Sequence, residues 1–482
     1  MGHQIPAWYD TDGNVYVART EEEAKEKAGG KELTQDSDVL DTWFSSGLWA
    51  FSIFGWTGDV TTTPDLEKFL PTDVLVTGRD IIFLWVSRMM MLTKKFTGKV
   101  AFRDCVVTGT VLGKDGKPMS KSRGNGIDPL EMFDKFGVDA TRIYLASIAT
   151  GADIRWNDTG VETYRNFANK IWNATRFCLM NADASSIAVD PESLSERSTF
   201  SLADRWIISR LHRTAIDVNT ALDKYEFHTA VSLLYHFFWD DFCDWYIELK
   251  KDEITGGDEA STVRIATMLE IALRMLHPFM PYLTEELWQK LPGTSNALHN
   301  AAYSKAASSI MLTQFPVGDA AAIDAEAETE MNAVIELITK IRNIRAEMNI
   351  STAIKFTVHI AASEGMQQVY GANEAQILKL AKAEKLVIAD SLEVPRASAK
   401  AVTADASIAV PLKGLIDFEK ERERLSNQIA KLTEEKTRLD GQLTNANFVD
   451  RAPAEKVQEL RDRSTELETQ VATLNNNLEA LD

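Results

Sequence analysis

The chain has 482 residues, enough for several domains with separate cores, and a formal net charge of −19. It has no apolar run long enough to cross a membrane, so we expect no membrane partner. The only cysteines, Cys105, Cys178 and Cys243, are widely spaced and form no CxxC pair. This argues against a disulfide framework and against protein-bound zinc or another metal site, and it fits a reducing, cytoplasmic setting.

The acidic balance does not exclude a nucleic-acid partner, because phosphate binding depends on local patches of charge. Between residues 94 and 123 the basic residues are interrupted only by Asp104 and Asp115. They are Lys94, Lys95, Lys99, Arg103, Lys114, Lys117, Lys121 and Arg123. This basic segment is compatible with binding the phosphates of ATP or RNA.

A βαβ unit is predicted from the apolar pattern of the first third of the chain. Residues Asp73–Thr77 form a short apolar run closed by Gly78, Ile81–Lys95 has helical spacing, and Arg103–Thr110 is rich in β-formers. Two strands joined by a helix are parallel. Residues 1–72 contain no comparable unit, and a parallel sheet needs several strands and two covered faces. We therefore expect that further N-terminal residues, or a second chain, complete the sheet.

The remainder of the chain is predicted to be mostly helical. Helical spacing dominates from Asn157 to Leu312, with many aromatic residues expected in a bundle core. Residues 321–413 combine a helix, Ala325–Met348, with strand-like runs and predict a small α+β module; the runs are Lys355–Ile360, Leu386–Ala389 and Ala406–Pro411.

Two leucine-rich heptad segments follow, separated by the helix-breaking residues Asn445–Pro453. They predict an antiparallel hairpin of two helices. An intermolecular coiled coil is the alternative.

The sharpest chemical signal is the run from Gly116 to Asn125, Gly-Lys-Pro-Met-Ser-Lys-Ser-Arg-Gly-Asn. Its serines, its lysine and the amides near Gly124 are donors suited to phosphate. A lysine on a glycine-flanked loop can follow charge as it develops on a triphosphate. A solvated basic turn is the simpler alternative.

This run resembles the KMSKS signature of the class I aminoacyl-tRNA synthetases, and Gly78-Arg79-Asp80 resembles the GxD element that binds the ribose of ATP in that class. The segments that look like the valyl branch are Gly2–Tyr9, Asp38–Ser46, Thr72–Ile82 and Tyr164–Asn173. The similarity follows the chain in order along nearly its whole length. The Asp-Thr-Trp-Phe-Ser sequence and the absence of zinc cysteines disfavour an isoleucyl relative.

The resemblance implies a multidomain protein of α/β and all-α parts. It implies a partial Rossmann-type catalytic domain (1–110), a connecting region with the signature loop (111–160) and a helical-bundle anticodon-binding domain (161–320). The small α+β module (321–413) and an antiparallel coiled-coil hairpin that binds tRNA (414–482) follow. The implied enzyme is a valine–tRNA ligase that uses ATP with Mg²⁺, valine and tRNA(Val).

The resemblance also implies roles for particular residues. The catalytic residues are Lys121, Ser120 and Ser122, and ATP is bound by Gly78, Asp80, Met119 and Lys121. Trp43 and Ile81 form the pocket for the valine side chain, with a core role for Trp43 as the alternative. On one helix face, Lys170, Asn173 and Phe177 are assigned to the anticodon. For these three, a core phenylalanine beside a surface lysine is an equal alternative.

The sequence departs from the class in several places. None of its seven histidines lies in an HxGH context, and there is no room for an editing domain between His3 and Trp43. Pro118 replaces the first lysine of the signature, and Arg79 stands where an aromatic residue is common. We therefore expect the isolated chain to be inactive without an N-terminal half that bears the missing histidines. A non-catalytic tRNA-binding module, or a decayed synthetase paralogue, is the competing hypothesis.

Overall fold

The computed structural model describes residues 3–58, 62–149, 151–181, 191–195, 200–292, 299–300, 305–392, 397–445, 449, 452–479 and 481. Met1, Gly2 and part of the predicted breaker Asn445–Pro453 fall outside these ranges. The chain divides into two compact units. The first contains Met1–Lys170, Asp217–Leu234 and His277–Leu283, and the second contains Ile171–Ile216, Tyr235–Leu276 and Thr284–Asp482.

The first unit begins with a small antiparallel sheet. Its central strand β1 (Ala7–Tyr9) pairs with β2 (Val15–Val17) and β3 (Thr34–Gln35). Helix α1 (Glu21–Lys27) starts at Thr20, whose side chain accepts the N–H of Glu23. Three short helices follow: α2 (Thr42–Gly47), α3 (Trp49–Ser52) and α4 (Pro64–Phe69).

The predicted βαβ unit is present. Strands β4 (Thr72–Gly78) and β5 (Phe102–Thr108) are parallel, with Gly78 opposite Thr108. The prediction of one regular helix over Ile81–Lys95 is wrong in its first turns. A 3₁₀ turn (Arg79–Ile81) and a π-helical turn (Ile82–Val86) precede α5 (Ser87–Thr97). Within the π-helical turn, Trp85 Nε1 donates to the carbonyl of Ser46 at 3.4 Å, a tertiary contact that hydrophobic spacing does not encode.

Among the described residues, the sheet of β4 and β5 has only these two strands. Leu75 is buried in a core with Val86 and Met89. On the same strand, Val74 and Val76 are 37% and 58% exposed. This face is therefore open along β4, whereas Val106, opposite Val76 on β5, is buried. The open side of β4 agrees with the expectation that the sheet is incomplete.

The chain continues through β6 (Val111–Leu112), which is parallel to β7 (Ile154–Arg155). Helices α6 (Pro129–Phe136) and α7 (Val138–Ala146) lie between these strands in sequence. Phe136, Tyr144 and Trp156 belong to their common core.

The predicted helical stretch consists of several helices: α8 (Asp158–Asn181), α9 (Leu202–Asp223), α10 (Phe227–His236), a π-helical segment (Phe237–Ile247), α11 (Glu248–Thr255), α12 (Glu259–Leu276) and α13 (Pro281–Trp288). Trp206, Phe237 and Phe238 are buried as expected, whereas Trp172 is 44% exposed.

The second unit also contains a mixed α+β region. A short antiparallel pair, β8 (His299–Asn300) and β9 (Lys305–Ala306), precedes the long helix α14 (Ala325–Glu347). Strands β10 (Thr357–Ala362), β11 (Lys385–Ala389), β12 (Ser398–Val402) and β13 (Ala406–Pro411) form a sheet in the order β11-β10-β13-β12, and α15 (Glu364–Ala372) and α16 (Glu374–Ala381) connect β10 to β11. Strand β12 was not predicted, because Ser-Ala-Lys-Ala-Val is poor in β-branched residues.

Two long helices, α17 (Phe418–Leu443) and α18 (Ala454–Glu479), form the end of the described chain. They run antiparallel, since Arg463 pairs with Glu435 at 3.1 Å and Arg422 donates to the carbonyl of Leu481 at 3.2 Å. Leu425 and Leu467 are fully buried. The structure therefore contains the predicted antiparallel pair of helices.

Candidate nucleotide-binding site

The GxD segment lies at the carboxyl end of β4, where ligands of parallel sheets commonly bind. The Asp80 side chain is exposed, and Ile81 is half-buried. Gly78 has an extended backbone, and a Cβ added to it would meet nothing within 4 Å. The space above Gly78 is therefore open to a ligand.

The signature loop is reached through β5 and β6. A Cβ on Gly109 would lie 1.8 Å from the carbonyl oxygen of Ala152, so the segment before β6 needs glycine there. The loop is then closed by backbone bonds, with Gly113 N–H donating to Lys117 at 2.9 Å and Gly116 N–H donating to Gly113 at 2.9 Å.

The tip of the loop is organised around Asn125. Its Oδ1 accepts the N–H of Ser120 at 3.0 Å, and its Nδ2 donates to Asp115 and to the carbonyl of Pro118. The N–H of Lys117 and the amide of Asn125 lower the pKa of Asp115 by hydrogen bonding to its carboxylate. Asn125 belongs to the signature motif, but its part in closing the loop was not predicted.

The donors assigned to phosphate lie together at this tip. Residues Lys121–Arg123 form a 3₁₀ turn that ends at Gly124 in the left-handed conformation, and the hydroxyls of Ser120 and Ser122 are 3.2 Å apart. Lys121 is exposed and Met119 is half-buried.

The cations of the loop differ in their surroundings. Lys114 pairs with Asp158 at 2.8 Å, and Arg123 donates to Pro118 O at 3.2 Å. Within the described part of the chain, Lys117 and Lys121 make no ion pair. Both ammonium groups are thus available to an anionic ligand.

The GxD segment and the segment that leads into the signature loop both bond to the carboxylate of Asp153. Arg79 pairs with Asp153 Oδ2, and Asp153 Oδ1 accepts the N–H of Thr110 at 2.8 Å. No hydrogen bond or ion pair links Asp80 to Lys121 in the parts of the chain described above. Asp153 lies 74 residues from Arg79, and no local pattern indicated their pairing.

The proposed valine-pocket residues lie on neighbouring elements. Trp43 is half-buried in α2, whose first turn is capped by Asp41. Asp41 also pairs with Arg88 at 2.7 Å. A Cβ on Gly47 would approach Leu92 to 2.7 Å, so α2 packs closely on α5. The helical segment that begins near Ile81 and the helix that carries Trp43 are therefore in contact.

The residues assigned to the anticodon all lie in α8. Asn173 is exposed, and Lys170 and Phe177 are half-buried. Phe177 is thus neither a fully buried core residue nor a freely exposed stacking platform.

Over the ranges that the structure describes, no cluster of three or more His, Cys, Asp or Glu side chains is arranged to hold a metal ion. No described helix is both long and apolar enough to span a bilayer.

Three segments of the chain match known families. Residues 1–157 match "tRNA synthetases class I (I, L, M and V)", residues 204–360 match "Anticodon-binding domain of tRNA ligase", and residues 417–482 match "Valyl tRNA synthetase tRNA binding arm". Together with the parallel strands that lead to both signature segments, these matches define a class I aminoacyl-tRNA synthetase fold.

Individual relatives narrow the assignment. The valine–tRNA ligase of Geobacter sulfurreducens is 43% identical over 475 residues, which cover 97% of this chain and 52% of that protein. The valine–tRNA ligase of Bacillus subtilis is 42% identical over 469 residues, which cover 96% of this chain and 51% of that protein. The chain belongs to the valine–tRNA ligase family and spans about half the length of these relatives.

A solved structure has a similar fold. LeuRS of Agrobacterium radiobacter K84, in a ternary complex with tRNA and LeuAMS, matches with a TM-score of 0.52 at 20% identity, covering 67% of this chain and 41% of that one. At this identity the likeness concerns the fold alone.

Proposed function

We propose that the chain supplies one half of a valine–tRNA ligase, which joins valine to tRNA(Val) at the expense of ATP. One observation carries the proposal: the segments that contain Asp80 and Lys121 both leave the same edge of a parallel sheet. At that edge Asp153 bonds to Arg79, beside Asp80, and to Thr110, which leads into the signature loop. The match to valine–tRNA ligases along nearly the whole chain supports the choice of amino acid.

The nucleotide would bind across this edge. The exposed carboxylate of Asp80 accepts hydrogen bonds from the two ribose hydroxyls, and the open space above Gly78 admits the nucleoside. Met119, which directly precedes Ser120 at the tip of the loop and is half-buried, would contribute an apolar contact to the nucleotide. Mg²⁺ arrives with ATP as part of the substrate, and no protein ligand is assigned to it.

Lys121 and the two serines would act on the phosphates. In the first step the valine carboxylate attacks the α-phosphorus, the bond to the bridging oxygen breaks, and pyrophosphate leaves with that electron pair. The unpaired ammonium of Lys121 and the hydroxyls of Ser120 and Ser122 stabilise the charge that grows on the leaving group. In the second step the terminal ribose of the tRNA takes the valyl group and AMP leaves.

Trp43 and Ile81 would select the amino acid. An indole wall and a branched aliphatic side chain can enclose an isopropyl group and exclude a larger one. Such a pocket discriminates poorly against threonine, which has nearly the same shape. Editing would then be carried by another part of the enzyme.

Two of the five segments proposed from the sequence would bind tRNA. The helical segment 161–320 would bind the anticodon with Lys170, Asn173 and Phe177. The hairpin 414–482, which we propose is a coiled coil, would bind the tRNA elsewhere. The match of residues 417–482 to a tRNA-binding arm supports the second assignment.

An N-terminal half is the expected partner. Val76 of β4 is 58% exposed and Phe83 of the π-helical turn is 83% exposed, so both elements of the βαβ unit keep apolar side chains that further polypeptide can cover. We propose that this half brings the histidine signature, and that the complete enzyme works in the cytoplasm, where the free cysteines would remain reduced.

The decisive experiment mixes the purified chain with the complementary half of the Geobacter sulfurreducens relative. Valine-dependent exchange of pyrophosphate into ATP and charging of tRNA(Val) are measured for the chain alone and for the mixture. We expect no exchange from the chain alone and both activities from the mixture. Robust exchange by the chain alone would show that the missing histidines are dispensable, and tRNA binding without any activity in the mixture would favour the non-catalytic tRNA-binding module.

Matched variants assign the activity to the site. Lys121→Ala should reduce exchange by two orders of magnitude or more, since one preorganised charge donor contributes about 10²–10³ in rate. Lys25→Ala is the control, because Lys25 lies on the surface of α1, where it pairs with Glu21 at 2.6 Å. In the mixture with the complementary half, Lys25→Ala should support the same exchange activity as the unaltered chain.

A further inference from the structure

Arg79 stands between the open Gly78 and the ribose-binding candidate Asp80, yet its side chain points to another segment. Its guanidinium pairs with Asp153 Oδ2, while Asp153 Oδ1 accepts the N–H of Thr110 at 2.8 Å. Thr110 directly precedes β6, which leads into the signature loop. One carboxylate therefore bonds the residue beside Asp80 and the base of the loop that carries Lys121.

The backbone around Asp153 is firmly attached to the loop side. Ile154 N–H donates to Thr110 at 3.0 Å and Trp156 N–H donates to Leu112 at 3.1 Å. The approach of Ala152 to Gly109 leaves no room for a side chain at position 109. Backbone contacts therefore fix Asp153 to the segment that leads into the signature loop. Its contact with Arg79 is made by side chains alone and can change more easily.

Because the Arg79–Asp153 pair is partly exposed to solvent, we expect it to affect the local arrangement of the two segments rather than the stability of the whole protein. The side chains of Arg79 and Asp153 are 50% and 34% exposed. Ion pairs this open to water contribute little to global stability. The pair can nonetheless fix the separation of the two segments, because both ends are attached to short, ordered stretches of backbone.

We propose that Arg79 is a positioning residue of the adenylation site: through Asp153 it sets the spacing between Asp80 and the signature loop, so that ribose and phosphates of one ATP are held together. This inference rests on the proposed function. It also gives a role to a residue that stands where an aromatic side chain, which cannot form an ion pair, is common in the family.

The first test uses the full chain alone and needs no catalysis. Hydrogen–deuterium exchange is followed in peptides covering residues 110–125 for Arg79→Ala, Arg79→Lys, Asp153→Asn and the double variant Arg79→Ala/Asp153→Asn. Asp153→Asn keeps the acceptor for Thr110 but loses the charge that Arg79 needs. We expect exchange to rise by about twofold to fivefold in Arg79→Ala and Asp153→Asn, the range typical of exposed ion pairs. The double variant should show no larger rise, and Arg79→Lys should retain part of the protection.

The second test separates positioning from a general loss of structure. In the mixture with the complementary half, Arg79→Ala should raise KM for ATP by a similar factor and leave KM for valine unchanged. Arg165→Ala is the control, because Arg165 forms a similarly exposed pair with Glu162 at 2.6 Å within α8. The inference is overturned if Arg79→Ala matches Arg165→Ala in loop exchange, or if the two KM values rise together. A mixture of unaltered proteins without activity would refute the proposed function, while loop exchange in the chain alone would still decide the role of Arg79.

Discussion

Asn125 Oδ1 accepts the backbone N–H of Ser120 at 3.0 Å, and the same side chain donates to Asp115 on the opposite limb of the loop. The six residues from Ser120 to Asn125, with Lys121 among them, are thereby closed into a ring by one amide group. This geometry explains how a loop without a hydrophobic core can present its lysine and serines in one place.

Asn125→Ala removes these bonds and should loosen the loop without unfolding the protein. Each lost hydrogen bond costs about 1 kcal/mol, so amide exchange in residues 113–125 should rise roughly fivefold or more. Hydrogen–deuterium exchange measures this directly. Asn166→Ala, at an exposed position of α8, is the control. Unchanged exchange in Asn125→Ala would show that backbone bonds alone hold the loop.

Gly109→Ala should be more damaging than its size suggests. The new Cβ would lie 1.8 Å from the carbonyl oxygen of Ala152 and 2.2 Å from its carbonyl carbon, and neither backbone atom can rotate away. Overpacking of this kind costs about 1–3 kcal/mol or more. We expect a lower thermal midpoint and loss of activity in the two-part enzyme.

Gly126→Ala is the matched substitution for that test. A Cβ at Gly126 meets nothing within 4 Å, so this variant should keep the midpoint of the unaltered chain. Equal behaviour of the two alanine variants would mean that the segment joining β5 to β6 can shift away from Ala152.

Asp204, in the helical part of the second unit, should control stability in acid. Burial by itself raises its pKa, but Lys250 at 3.1 Å, the hydroxyls of Ser201 and Tyr246, and Arg264 outweigh burial, so its pKa is lowered. A carboxyl with a lowered folded-state pKa stabilises the fold above its unfolded pKa, and this contribution fades as pH falls below about 4. Asp204→Asn should cost about 1–3 kcal/mol at pH 7, because Lys250 loses its buried partner and retains the more exposed Glu253 at 2.5 Å.

Urea unfolding at pH 7 and at pH 3.5 tests this prediction, and the loss caused by Asp204→Asn should shrink in acid. Glu270 provides the contrast. Burial raises its pKa despite the opposing charge of Arg274 and the hydrogen bond from Trp288. Its ionisation therefore opposes folding as pH rises, and Glu270→Gln should cost less at pH 7 than Asp204→Asn. A loss for Asp204→Asn that is the same at both pH values would contradict the assignment of charge.

Strands and helices whose apolar residues follow a regular local spacing were predicted correctly from the sequence. The parallel pair β4 and β5 follows from two apolar runs that flank a helix, and both were placed within two residues. The two helices of the hairpin follow from leucine spacing and a breaker. The π-helical turn Ile82–Val86 was missed, since all five of its residues are apolar and carry no periodicity that separates a π-helix from an α-helix.

Contacts between residues far apart in the chain could not be predicted from the sequence. Arg345 is a surface-type residue in a helical pattern, yet it is buried, and its guanidinium donates to the carbonyls of Ser351, Ile354 and Lys382. The Arg79–Asp153 pair is equally invisible, because each residue is ordinary in its own neighbourhood. The motif thus indicated which residues carry chemistry, but not which residues position them.

Leu467 tests whether the terminal hairpin is held together within one chain. It is fully buried, as is Leu425, so Leu467→Ala should cost about 2–5 kcal/mol and separate α17 from α18. Leu478→Ala, at a half-buried position near the end of α18, should cost less. Helical circular dichroism during thermal unfolding measures the loss, and sedimentation velocity measures the mass at several concentrations. A monomer whose hairpin melts at a concentration-independent temperature supports pairing within the chain. A melting temperature that rises with protein concentration, accompanied by a dimer in sedimentation, would mean that these leucines join two chains.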